Sequence, residues 1–258
     1  MNLLSLTRVE FQKMKRSGIL LLLFAATVIL WIPSILNVGL NFTMRSQGIP
    51  ISPENNFFIQ GFLGMAWFMF PGSMVVCTVL LSQTERGNRG ILKMLTMPVS
   101  TVKFCLAKFL VLLTLALCQI LMMTGMYYLS GAIASQTQGY DLLLPLQYVL
   151  KEVGKLYFSA APMLAFFWML SVCIQTPIFS MGIGLASIVP SVLAINTRVW
   201  YLYPMCYPFY VLAREQSRLT ENGTVSVIES APWILTAIVV MSVCLTAACL
   251  RFGQAERK

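Results

Sequence analysis

Residues 17–44 read SGILLLLFAATVILWIPSILNVGLNFTM, a run without a single charge. Asn55–Thr84, Phe109–Tyr140, Leu156–Thr197 and Ser230–Leu250 are equally uncharged. A helix needs about 20 apolar residues to cross a hydrocarbon core of roughly 30 Å. A charge held at the centre of that core costs on the order of 2.5–3.5 kcal/mol. Soluble domains are about 25% charged; this chain of 258 residues is 10% charged and 58% hydrophobic. The runs leave no surface that water would accept. The expected fold class is therefore all-α, a polytopic integral membrane protein with six transmembrane helices in one membrane domain over residues 1–258, an N-terminal amphipathic helix and a short cytoplasmic helix. The spans are expected near 18–40, 57–82, 103–132, 156–175, 178–197 and 230–250. The run 156–197 is split at Gln175-Thr176-Pro177, because one helix of that length would reach about 63 Å.

Charge distribution sets the expected topology. With six spans, Arg8, Lys13, Lys15, Arg16, Arg86, Arg89, Lys93, Lys103, Lys108, Arg251, Arg257 and Lys258 fall on one side, and Arg45, Lys151, Lys155, Arg198, Arg214 and Arg218 on the other. The positive-inside rule then predicts a plasma-membrane protein with both termini cytoplasmic. The net charge of +9 reads as a topology signal and an attraction to anionic lipid headgroups, with no nucleic acid as partner. The acids Glu54, Asp141, Glu152, Glu215, Glu221 and Glu229 collect outside. There they either follow the same asymmetry or attract a cationic peptide. The seven cysteines are odd in number and scattered, a poor disulfide framework.

Two short segments carry the local information. Residues 2–16 read as an amphipathic helix: at 100° per residue Leu3, Leu4, Thr7, Phe11 and Met14 share one face, with Arg8, Gln12, Lys13 and Arg16 opposite. This is either a helix lying in the inner membrane interface or a plain basic flank. In the cytoplasmic loop 83–101, Glu85-Arg86-Gly87 closes the second span. Ile91, Leu92 and Leu95 then give a short helix one apolar face, Arg89 and Lys93 a polar one, and Pro98 ends it. An apolar stripe on such a helix suits a groove in a partner; the other reading is an interfacial loop whose leucines touch lipid. Lys103 and Lys108, near the inner end of the third span, are expected to snorkel toward headgroups.

Chemistry of its own is missing from the chain. No G-x-x-x-x-G-K-[ST], H-E-x-x-H, CxxC pair or G-x-S-x-G occurs, and histidine is absent. No span is expected to hold an acid near its middle, as ion-coupled carriers usually do. The expectation is a non-catalytic subunit with no catalytic, metal or cofactor-binding residues, moved by a partner's energy. An ion-coupled carrier or channel and a non-transport membrane component are the other classes.

Six spans, a basic amphipathic N-terminal helix and a short helix between spans two and three resemble the permease subunits of type-2 ABC exporters. Glu85, Arg86, Gly90, Leu92, Leu95, Pro98 and Lys108 fall where that family's pattern places them. The resemblance implies that 83–101 is a coupling helix docking on an ATP-binding cassette subunit. It further implies two such subunits, which bind ATP and Mg, and a second permease, identical or homologous. A narrower resemblance is to the lantibiotic-immunity permeases of Gram-positive bacteria, through Val9-Glu10-Phe11-Gln12-Lys13-Met14-Lys15-Arg16-Ser17 and Pro53-Glu54-Asn55-Asn56. It implies expulsion of amphipathic antimicrobial peptides from the membrane; another hydrophobic drug or a lipid-linked substrate is the alternative cargo.

Remaining features have two readings each. Pro33, Pro71, Pro162 and Pro190 are hinges or static kinks. Gly61 and Gly64, like Gly182 and Gly184, offer small faces for close helix contact, at a permease–permease seam or inside one chain.

Overall fold

Among the described residues, six helices are long and apolar enough to cross a membrane, by length and composition. A computed structural model describes residues 3–14, 18–42, 45–46, 49–86, 100–174, 176–219 and 233–255. Helix α1 (Leu3–Met14) precedes the first span, α2 (Ile19–Leu36), which is followed by the short α3 (Val38–Phe42). Two antiparallel two-residue strands, Arg45–Ser46 and Ile49–Pro50, come next. The second span joins α4 (Pro53–Gly64), a π-helical segment (Met65–Met69) and α5 (Phe70–Arg86). Helices α6 (Thr101–Gln138) and α7 (Leu146–Cys173) are the third and fourth spans. The fifth is broken into α8 (Pro177–Ala186) and α9 (Ser191–Ala194). A 3₁₀ turn (Trp200–Leu202) and α10 (Cys206–Leu219) lead to α11 (Trp233–Ala255), the sixth.

Proline and glycine place most of the breaks. Pro71 has no N–H to donate to the preceding turn, and its ring would press on the carbonyl four residues back. The π segment ends just before it, and a widened turn absorbs that conflict. Pro33 and Pro162 sit inside α2 and α7. Pro177 opens α8 at its first position, where a missing N–H costs nothing. Gly139 ends α6 with φ 67°, the left-handed cap that glycine adopts without strain.

A broken helix at membrane depth must still satisfy its freed carbonyls. Here the chain returning after the break does so: Tyr203 donates its hydroxyl to Ser187 O, and the Cys206 thiol lies 3.4 Å from Ser191 O. The aromatic stretch 200–210 packs inward through Trp200, Tyr207 and Tyr210. Trp200 stacks on Tyr210 at 4.1 Å, and both Tyr207 and Tyr210 meet Trp233.

The helices outrun the expected spans. The third span was expected to end near 132 and the fourth to begin near 156, but α6 continues to Gln138 and α7 starts at Leu146. At 1.5 Å per residue α6 is about 57 Å long, well beyond a hydrocarbon core of roughly 30 Å. The far end is tied by side chains: Asn41 Nδ2 donates to Ser34 O (2.8 Å) and Gln138 Oε1 (3.0 Å), and Asn56 Nδ2 to Asn41 O (2.9 Å). Glycine contacts are internal where they are tight. Gly184 abuts Val75, whose Cγ1 would lie 2.7 Å from an added Cβ, whereas Gly182 has open space. The seven cysteines are free.

Candidate functional site

Arg86 ends α5 and Thr101 begins α6, so residues 87–99 link the second span to the third in sequence. Helix α1 lies against α6 at this same end. Its buried line is Leu6, Glu10 and Met14, one turn apart. Leu6 packs with Phe104 and Ala107 of α6 and with Phe252 of α11. Met14 joins the main core of the bundle.

Between those two apolar anchors sits a carboxylate that is 2% exposed. Glu10 Oε2 accepts from Lys108 Nζ at 3.0 Å, and Oε1 accepts from Lys13 Nζ at 2.6 Å. Lys108 Nζ also lies 3.5 Å from Leu81 O of α5. One ammonium group thus joins α1, α5 and α6 just inside the loop that links the last two. Lys108 does not snorkel, correcting the sequence expectation: it is 1% exposed. A buried ammonium is tolerated when a counter-charge is held beside it, and Glu10 supplies one.

Burial alone would push the Glu10 carboxyl up, but Lys108 and Lys13 outweigh it and hold it below the ordinary carboxylate range. A lowered folded pKa stabilises the folded state above the unfolded value of about 4.3. That contribution disappears as pH falls through the lowered value. Thermal melts of the full chain in detergent should therefore drop more steeply between about pH 5 and about pH 3 for the natural protein than for Glu10→Gln. Parallel curves would show that Glu10 carries no such linkage.

The other residues expected at this site divide three ways. Leu3 and Phe11 are half-buried and Met14 is buried, while the Leu4 side chain lies outside the described residues. Glu85 and Arg86 form the last turn of α5, with side chains outside the described set. Gly90, Leu92, Leu95 and Pro98 also lie outside the described residues.

Two of the acids expected on the outer side, Glu152 and Glu215, are buried between helices. Glu152 is 1% exposed and pairs with Lys155 at 2.6 Å. Glu215, 5% exposed, accepts from the Tyr148 hydroxyl and from Arg218, each at 2.6 Å. Their helices α7 and α10 pack on each other, and each acid carries a cation one turn away on its own helix. The bundle interior also holds a polar contact between spans two and three, where Ser73 Oγ donates to Gln119 Oε1 at 2.7 Å.

Residues 6–191 match a protein family described as ABC-2 family transporter protein. The chain belongs to that family. It is a transmembrane ABC transporter permease, a membrane transport subunit whose ATPase resides in a partner. Membership implies an ATP-binding cassette subunit and a paired permease, and it agrees with a multi-pass membrane location. No curated protein and no solved structure matches the chain. The match includes α1 from Leu6 onward, the Glu10–Lys108 junction and the loop between α5 and α6.

Proposed function

We propose that this permease belongs to an ATP-driven exporter that expels lantibiotics or related amphipathic antimicrobial peptides from a bacterial plasma membrane. Both termini and the loop 87–99 face the cytoplasm in this reading, following the excess of Lys and Arg on that side. Two cassette subunits bind ATP and Mg and work on two permeases. The observation that carries the coupling assignment is the Glu10–Lys108 junction. It binds α1 to α6, with Leu81 of α5 in reach, at the base from which the loop departs. A push on that loop reaches three helices through one buried ion pair. Glu85, Arg86, Gly90, Leu92, Leu95 and Pro98 form the docking element, with Leu92 and Leu95 as its apolar anchors.

The test uses the tagged full chain, purified in mild detergent from membranes of its own host. The natural protein should elute with vanadate-sensitive ATPase activity, and a Leu92→Asp/Leu95→Asp variant of equal yield should lose at least 90% of it, about one power of ten or 1.4 kcal/mol of docking energy. ATPase retained by the variant would refute the docking element. The cargo is tested separately: deletion should sensitise the host to a lantibiotic. Unchanged susceptibility would remove the peptide and leave the permease assignment standing.

A further inference from the structure

We infer that a lateral cavity between α7, α10 and α11 binds an anionic phospholipid from the surrounding bilayer. Its volume is about 980 Å³, at the upper end of the roughly 300–1,000 Å³ of small-molecule sites. The walls are divided by chemistry. Lys155 of α7 and Arg214 and Arg218 of α10 line one part, with Glu215 the sole carboxylate among the lining residues. Glu215 is already held by Tyr148 and Arg218. Arg214 is exposed and has no carboxylate partner among the described residues. Lys155 is held by Glu152 and Arg218 by Glu215, so Arg214 is the cation in excess on this rim.

Phe158, Pro162, Ile234, Ile238 and Met241 form the rest of the wall. Lys155 and Pro162 are seven residues apart on one helix, so charge and apolar wall separate over about 10 Å. The open side is flanked by Phe158, Ile234 and Ile238, which are 76%, 60% and 57% exposed. Such residues on a membrane helix face hydrocarbon. A phosphate on the rim and an acyl chain along Phe158, Pro162 and Ile238 satisfy both halves at once. A cationic peptide would meet like charge at Arg214, and a neutral lipid would leave that cation unanswered. The site is distinct from the α1–α5–α6 junction and stands whether or not the cargo is a peptide.

The full chain, purified in detergent, is exchanged into mixed micelles with equal dioleoylphosphatidylglycerol and dioleoylphosphatidylcholine, and retained lipid is counted by native mass spectrometry. The natural protein should keep phosphatidylglycerol in preference. R214Q removes one exposed cation, and its retention should fall about five-fold, the share of one Arg near an anionic lipid. I238W fills the apolar end from an exposed position, and retention should fall further. Equal retention of the two lipids overturns the proposal. So does phosphatidylglycerol retention indifferent to both variants, or a lipid-free dimer that I238W dissociates, which would make this face a contact between copies. Should I238W fail to fold, the surface change R214Q decides alone.

Discussion

Glu10→Gln is expected to lower the amide protection of α1 by about two to four powers of ten, equivalent to about 3–5 kcal/mol for breaking one side of a buried ion pair. The variant leaves Lys108, 1% exposed, as a buried cation without its carboxylate. Lys108→Met should cost less, because Lys13 still holds the other carboxylate oxygen at 2.6 Å. A combined Glu10→Leu/Lys108→Met variant removes both charges and should recover most of the loss, since apolar replacement of a whole buried pair is often neutral or better. The loss should appear as undocking of α1, which a twelve-residue helix cannot resist alone, while the spans stay protected. Hydrogen exchange of the full chain in detergent reads all three variants. A double variant worse than either single one would mean that the pair contributes by shape rather than charge. If the junction also transmits motion, the double variant should dock α1 yet couple ATP hydrolysis to export less tightly.

Much of this architecture was legible because a bilayer imposes one simple rule on long apolar runs. Ser17–Met44 or Ser230–Leu250 admit no other placement. Helix ends were less legible, since the rule stops at the headgroups: nothing in residues 133–138 or 146–155 says that α6 and α7 continue past the hydrocarbon. The break after α8 was legible in part, since Pro190 marks a hinge or kink there, but what answers its freed carbonyls was not. Ser187 and Ser191 look like ordinary small residues until Tyr203 and Cys206 return to answer their carbonyls. Glu152 and Glu215 read as surface acids, because their burial depends on packing between α7 and α10. Glu10 is different. At 100° per residue it falls 20° beyond Leu3, at the edge of the apolar face already identified. A carboxylate there asks for a cation on whatever helix lies opposite, and the structure supplies Lys108, which the sequence alone would send toward the headgroups.

Gly61→Ala is expected to destabilise the bundle by about 1–3 kcal/mol, the usual cost of overpacking a filled core. Gly61 lies under the Trp31 indole, where an added Cβ would stand 2.6 Å from Cζ2 and 2.7 Å from Cζ3. The ring cannot swing aside. Phe57, Tyr127 and Phe62 surround it at 5.1, 5.6 and 6.2 Å, and its N–H points to Met123 Sδ at 3.2 Å. In lipid no hydrophobic transfer term separates a packed helix from a loose one, so fit between side chains carries the stability. Gly125 on α6 provides the matched comparison, since a Cβ there meets nothing within 4 Å. Gly125→Ala should be neutral or stabilise by up to about 1 kcal/mol through helix propensity. The same added methyl group should thus move the unfolding midpoint in detergent in opposite directions at the two positions. Trp31→Leu, costly alone, should be less costly beside Gly61→Ala, a coupling that a double-mutant cycle measures directly. Equal midpoints for Gly61→Ala and Gly125→Ala would place the indole elsewhere and undo the account of how the first three spans lock together.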